Sequence, residues 1–370
     1  MIPIIDLKKQ YMNIKHEIDT AILSVINSGK FILGENVSKF EEKIQEYFNV
    51  KYAIGVNSGT DAIYLSLLAN DIQPGDEVIT SVFTFIATVE AICLLGATPV
   101  LIDIDERTYN IHVKKMKEKI SKKTKAIIPV HLFGYPCDMD EIIDIAKKRK
   151  IKVIEDCAQS FSAEYKGKKV GTFGNAGCFS FYPTKILGCY GDGGMVITND
   201  ENISKKVKML RDHGSEKKYF HKMIGINSRL DEIQASILLV KLKYVDSWIK
   251  RRIEIAKKYN ELFKNTDIIT PYEEKDNKHV YNYYTIRVKK RELIVEGLKR
   301  EKIFPEVHYP MPIHLQPSLN YLEYKKGNFP VAEKVANEVI SIPIYPELTD
   351  EEIEKVAKTI IHLTSQEVSS

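Results

Sequence analysis

The chain has 370 residues, 44% hydrophobic and 28% charged, and its 54 basic and 50 acidic side chains leave a formal net charge of +4. That length suits one large domain or two unequal ones, and the composition excludes a disordered chain. Nucleic acid is not an expected partner, because the charge is balanced and no dense basic stripe stands out; nor is a membrane, because MIPIIDLKKQY is charged by its sixth residue and no apolar run reaches spanning length.

In chain order, helical patterns cover about 11–27 and 37–48, and a short apolar strand, YAIGV (52–56), meets a helix from about Thr60. EVITS (77–81) reads as a strand after a PGD turn, and FIATVEAICLLG as a helix stopped by Gly96. PVLIDI (99–104), KAIIPV (125–130) and IKVIEDC (151–157) are strands of buried character, the last after a helix over about 138–149. GCFSF (177–181) and GMVITN (194–199) complete a set of about seven. Short buried-type strands alternating with helices predict an α/β fold with a mainly parallel sheet. The last two strands lie close enough in sequence to bring in an antiparallel member.

A long helical run over about 228–262, bending near Trp248, leads into a smaller α+β unit. There YNYYTIRV is a strand, RELIVEGLKR a helix, FPEVHYP a strand, FPVAEKVANEVI a helix, SIPIYP a short strand and 350–365 a last helix. We take 1–250 as the large domain and 251–370 as the small one. The 305–320 loop holds four prolines and two histidines, which makes it rigid and a place for function. The five cysteines, Cys93, Cys137, Cys157, Cys178 and Cys189, are odd in number and widely spaced. They predict neither a disulfide framework nor a metal knuckle, so no metal is expected and a reducing cytoplasm is. Cys189 beside the glycine run is expected to serve packing.

Four segments fall where an open α/β sheet places ligands, at strand ends. NSGTD (57–61) is a turn before a helix whose N–H groups and Thr60 hydroxyl could cradle a phosphate; it reads equally as an N-cap by Ser58 or Thr60. EDCAQS (155–160) ends a strand in Asp156, placed either to pair with a protonated ring nitrogen or to cap a helix, with Gln159 three residues on. SFYPTKILGCYGDGG (180–194) sets Lys185 among glycines that let backbone approach a ligand; the lysine is either a nucleophilic amine or a surface charge. GINSRLDEIQA (225–235) offers Asn227 and Arg229, the latter suited to an anion, or else a capping box of Ser228 with Asp231. Together these are the parts for pyridoxal phosphate. No GxGxxG follows the early strands, which argues against a nicotinamide enzyme.

IDLKKQY, GKFILGENVSKFEEKI, NSGTDAIYLSL, GDEVITSVFTFIAT, VIEDCAQSF, SFYPTKILGCYGDGG and GINSRLDEIQASIL together resemble the DegT/DnrJ/EryC1/StrS sugar aminotransferases nearly end to end. The resemblance implies the type I aspartate aminotransferase fold and pyridoxal 5′-phosphate, passing through pyridoxamine 5′-phosphate. It implies that Lys185 links the cofactor, Asp156 pairs with its ring nitrogen and Gln159 contacts its ring hydroxyl. Gly59, Thr60 and Ser180 would hold the phosphate, and Phe85 would stack on the ring. Asn227 would reach the neighbouring subunit's phosphate, so a homodimer with shared sites is implied; His131 and Tyr182 would lie nearby. Relatives with histidine for the lysine are dehydratases, and Lys185 favours amino transfer. KILGCYGDGG and VHYPMPIHLQP most resemble enzymes acting on the C3 ketone of UDP-2-acetamido-2-deoxy-3-oxo-glucuronate, with L-glutamate as donor. Arg229 would then meet the sugar carboxylate, with His308 and Tyr309 at the substrate end. A 4-keto-6-deoxy or another 3-keto nucleotide sugar is the alternative substrate. A fold-bearing regulator without turnover would have lost the lysine or the aspartate, and this chain keeps both.

Overall fold

The computed structural model describes residues 1–366. Two helices lead in, α1 (Leu7–Ser28) and α2 (Glu35–Phe48). Asp6 caps α1 by accepting from the Lys9 N–H, and Gly29 ends it at φ 64°, satisfying groups a helix end leaves open. Strands and helices then alternate through β1 (Tyr52–Val56), α3 (Gly59–Ala69), β2 (Glu77–Ser81), α4 (Ile86–Leu94) and β3 (Thr98–Ile102). They continue through α5 (Val113–Glu118), β4 (Thr124–Ile128), α6 (Met139–Arg149) and β5 (Lys152–Asp156). A minimal hairpin, β6 (Glu164–Tyr165) with β7 (Lys168–Lys169), precedes β8 (Ala176–Ser180) and β9 (Gly194–Thr198).

Seven of these strands form one sheet in the order β1-β9-β8-β5-β4-β2-β3. β9 runs antiparallel to both neighbours, and the other adjacent pairs are parallel. The mixed, mostly parallel sheet is therefore the one the strand pattern predicts. Its strands are buried almost throughout, which is why they read as continuous apolar runs without alternation.

The chain goes on through α7 (Glu201–Leu210) and an exposed hairpin, β10 (Ser215–Lys217) with β11 (Phe220–His221). The long helical run is α8 (Glu232–Leu242) and α9 (Val245–Phe263), broken just ahead of Trp248. Val245 and Ile249 of α9 pack on the core of the large sheet. Ile255, Ala256, Tyr259 and Phe263 pack in a second core. That core gathers the antiparallel pair β12 (Tyr284–Arg287) and β13 (Val339–Ile342) with α10 (Arg291–Arg300) and α12 (Asp350–Gln366). Ile2 also joins it, beside Ile303.

Two expectations need correction. FPEVHYP forms no strand; its backbone makes an isolated bridge between Glu306 and Ser341, and its two prolines withhold the donors a ladder needs. The helix in FPVAEKVANEVI, α11 (Pro330–Glu338), stops before Val339. Val339 and Ile340 pair with Arg287 and Ile286 instead, where β-branched side chains fit a pleated surface. Ile313, Leu319, Phe329 and Val335 pack against Val82, Phe83 and Val89, which folds the 305–312 loop over the strand ends. Among the described residues no helix is long and apolar enough to cross a membrane, and all five cysteines are free thiols.

Candidate active site

A cavity of about 440 Å³ opens at the carboxyl ends of β1, β2, β5 and β8, the edge where open α/β sheets bind ligands. Gly59, Thr60, Phe85, Asp156, Gln159, Ser180, Lys185, His308 and Tyr309 all line it. Residues predicted to act together from places scattered over the chain are thus brought to one wall.

The turn after β1 serves two purposes. Ser58 caps α3, its hydroxyl accepting from the Asp61 N–H at 3.1 Å, so the cap belongs to Ser58 and not to Thr60. Gly59 and Thr60 then occupy the first turn, where unpaired N–H groups and the helix dipole favour an anion. A Cβ on Gly59 would sit 2.7 Å from Ser180 Cβ, and one on Gly194 2.2 Å from Ser58 O. These two glycines let the helix start, Ser180 and β9 close around one small space.

Asp156 ends β5 and is buried. Its Oδ1 accepts from the Ala158 N–H at 3.0 Å and its Oδ2 from the Thr88 hydroxyl at 2.7 Å. Burial pushes its pKa up, against these two donors and the nearby Lys185 charge. Lys185 is partly buried, and desolvation pulls its pKa down to about 8, with Asp156 opposing. Above that pH the amine is mostly free and nucleophilic; below it the amine is mostly protonated. Capture of added pyridoxal phosphate by the apo-protein should therefore accelerate as pH rises from about 6.5 and level off above about 9. Stopped-flow absorbance reads this directly, and a rate that does not change over that range contradicts it.

Gln159 is held at both ends: its Oε1 accepts from the Phe133 N–H at 2.7 Å and its Nε2 donates to Tyr309 Oη at 2.9 Å. It thereby ties β5 to the C-terminal loop. Tyr309 sits 6.0 Å from Phe85, ring to ring. Phe85 is 55% exposed and leaves a ring face available at the cavity. His308 stacks on Tyr283 at 3.9 Å and hydrogen-bonds Ser341 Oγ at 3.0 Å. Tyr182 also lines the cavity.

Other candidates are not brought there. Arg229 is absent from the lining and donates from Nη1 to Asp212 Oδ1 at 2.8 Å. Its guanidinium therefore has a carboxylate partner within the chain and is no part of the cavity this chain forms. Asn227 is exposed and likewise outside the cavity. The capping box also needs correction. Ser228 accepts from the Asn57 N–H and donates to Asp61 Oδ2, locking this segment to the phosphate-cradle turn, and α8 starts only at Glu232. His131 is fully buried beside the site. Its Nδ1 accepts from the Cys137 N–H at 3.0 Å, so the proton is on Nε2, 3.2 Å from Glu155 Oε2. His314 is buried against Glu333.

Three groups escape sequence reading. Thr84 and Thr88 line the cavity; the available signal was two threonines at i and i+4 within FTFIAT. Glu155 accepts from Gly171, Phe173 and Gly174 N–H groups, so its proximity to His131 and Cys157 reads as a structural knot and not a metal site. Lys241 is buried on α8 and donates to Gly188 O at 2.7 Å, bracing the loop that carries Lys185. Cys189 in that loop is buried and donates to Phe181 O at 3.0 Å, consistent with packing.

The donor set fits the expected cofactor: an anion cradle, a carboxylate, an amine of lowered basicity and an open aromatic face around one cavity. Residues 12–361 match the model of the DegT/DnrJ/EryC1/StrS aminotransferase family. The chain belongs to that family. It is 46% identical to a "Pleiotropic regulatory protein" of Geobacillus stearothermophilus, over 98% of this chain and 99% of the relative. It is 47% identical to the "dTDP-3-amino-3,6-dideoxy-alpha-D-galactopyranose transaminase" of Aneurinibacillus thermoaerophilus, over 97% and 99%. Against the "UDP-2-acetamido-2-deoxy-3-oxo-D-glucuronate aminotransferase" of Pseudomonas aeruginosa the identity is 43%, over 94% and 96%. The crystal structure of S. venezuelae DesV in complex with a ketimine intermediate superposes with a TM-score of 0.96 at 37% identity, covering 98% of each chain. As a DegT/DnrJ/EryC1/StrS member, the chain is an aminotransferase.

Proposed function

We propose that this aminotransferase moves an amino group from L-glutamate to the C3 ketone of a nucleotide-linked sugar whose ring carries no carboxylate. It is a pyridoxal-phosphate-dependent enzyme of keto nucleotide sugars; the ring position, the uncharged ring and the donor are the finer reading. The observation that carries it is the cavity's charge. Among the described residues that line it, Lys185 is the only lysine or arginine, and Asp156 and Asp192 are the carboxylates. Among the described residues lining the cavity, a sugar acid would find Asp192 and no arginine to pair with it. The glucuronate expectation assigned the sugar carboxylate to Arg229, and that guanidinium is engaged with Asp212. The similarity to enzymes of 3-amino sugars built on different nucleotides and rings supports the C3 position over any one sugar.

The cavity lining supports the following roles. Gly59, Thr60 and Ser180 would hold the cofactor phosphate, Asp156 would keep the proton on its ring nitrogen, and Gln159 and Phe85 would complete the ring's pocket. When bound, pyridoxal phosphate supplies the electron sink for a carbanion. Lys185 Nζ would take the proton from the donor α-carbon in the first half-reaction and deliver one to the sugar's C3 in the second. His308 and Tyr309 close the side from which substrate enters. Asn227, exposed and outside its own cavity, serves the neighbouring subunit's phosphate in a homodimer.

A panel of acceptors tests the substrate. With the pyridoxamine form of the enzyme, a dTDP-linked 3-keto-6-deoxy sugar should be aminated with kcat/KM at least about tenfold above UDP-2-acetamido-2-deoxy-3-oxo-glucuronate and a dTDP-linked 4-keto-6-deoxy sugar. Mass spectrometry reads the ketone-to-amine change. Preference for the glucuronate or the 4-ketone overturns this reading.

A further inference from the structure

We infer that Thr88, backed by Thr84, is a positioning residue that keeps the Asp156 carboxylate ionised and aimed into the cavity. The inference rests on the reading of Asp156 as the partner of the cofactor ring nitrogen.

Thr88 lies in the first turn of α4 and is 1% exposed; Thr84, just before that helix, is 3% exposed. The Thr88 hydroxyl lies 2.7 Å from Asp156 Oδ2 and 3.1 Å from the Thr84 hydroxyl. An ionised carboxylate only accepts, so the Thr88 proton goes to Asp156 and Thr84 donates to Thr88. The chain of donors thus has one direction. A helical threonine ordinarily turns its hydroxyl back to a carbonyl three or four residues earlier; Thr88 reaches instead to a residue 68 positions away. Val82, Phe83 and Val89 around this pair are buried and apolar, and valine at 88 would serve packing alone as well as threonine.

The two carboxylate oxygens are fixed by different donors, the Ala158 N–H and the Thr88 hydroxyl. Burial favours the neutral acid, and of the groups opposing it the Thr88 hydroxyl is the strongest. Without that donor the buried carboxyl has less reason to stay charged, and a neutral carboxyl cannot hold a proton on a facing ring nitrogen. Phe85 and both threonines come from one stretch, FTFIAT, so a single helix start supplies the ring cover and the support of its acidic partner.

The test is a substitution series read by ¹⁵N NMR of enzyme loaded with ring-¹⁵N pyridoxal phosphate, with melting curves for each variant. Thr88→Val should move the ring nitrogen to the unprotonated shift near neutral pH and lower kcat about tenfold or more, with KM for the amino donor changed less than about threefold. Thr88→Ser should restore both signals, and Thr84→Val should show a smaller shift in the same direction. Thr88→Ala provides the same readout if the valine variant does not fold. A ring nitrogen that stays protonated in Thr88→Val or Thr88→Ala, with kcat within about twofold of the parent, overturns the proposal. Asp156→Asn separates the two levels. If it deprotonates the ring while Thr88→Val does not, Thr88 alone loses its role; if it too leaves the ring protonated, the reading of Asp156 also falls.

Discussion

Lys185→Ala is expected to lower steady-state amino transfer by about 10³-fold or more while the chain still folds. In the proposed reading the amine links the cofactor and moves the proton in both half-reactions, and among the described residues no other lysine or arginine lines the cavity. The side chain faces that cavity, so truncation enlarges a space that already exists and leaves the packed core intact. The stability sign follows from the pKa. A lysine held down at about 8 is protonated against its preference below that pH, so it destabilises the apo-protein there, and the cost is relieved as pH rises toward the ordinary lysine value. Lys185→Met should therefore melt no lower than the parent apo-protein at pH 7. Turnover near the parent rate in Lys185→Ala would remove the lysine from the chemistry; a large drop in melting temperature would reveal a structural role.

Asp156→Asn is expected to lower kcat roughly 10²-fold or more, with a smaller effect on donor KM. The substitution keeps size and the contact with the Ala158 N–H but removes the charge and sets an amide against the Thr88 hydroxyl. Asp156 has its pKa raised by burial. It therefore destabilises the fold at pH values above its folded pKa, and the penalty disappears as pH falls below the unfolded value. At pH 7 the asparagine variant should accordingly melt at or above the parent temperature. Activity and stability moving in opposite directions at both Lys185 and Asp156 would mark them as groups retained for chemistry. Steady-state kinetics and calorimetry on the same preparations check both.

The strands of the large sheet were legible because each is short, apolar and bounded by turn residues, so one-dimensional pattern carries their position. An antiparallel member was legible as an option because GCFSF and GMVIT lie close in sequence with no helical pattern between them. FPEVHYP misled because it has strand composition but its prolines cannot join a ladder. FPVAEKVANEVI misled because apolar spacing continues past Glu338, and the switch to a strand is decided by pairing with β12. At the site, Thr60, Asp156, Gln159 and Lys185 stood out because they sit at strand ends or beside glycines, whereas Ser180, Phe85, His308 and Tyr309 came from the family resemblance. Arg229 has its partner, Asp212, in another segment, and local pattern cannot show that pairing. The same limit hid Ser228 behind Asp61, 167 residues away, and Thr88 behind Asp156. A capping box and a helical threonine are the local readings of those residues, and tertiary contacts override both.

The most direct test of the central claim is the visible spectrum of the purified protein with pyridoxal phosphate, followed by addition of L-glutamate. A yellow band that forms with the parent chain, fails to form with Lys185→Ala, and bleaches toward the pyridoxamine form with release of 2-oxoglutarate is the predicted result. A parent chain that forms no such band, or one whose band forms equally in Lys185→Ala, would contradict the account of this cavity as an aminotransferase site built on Lys185.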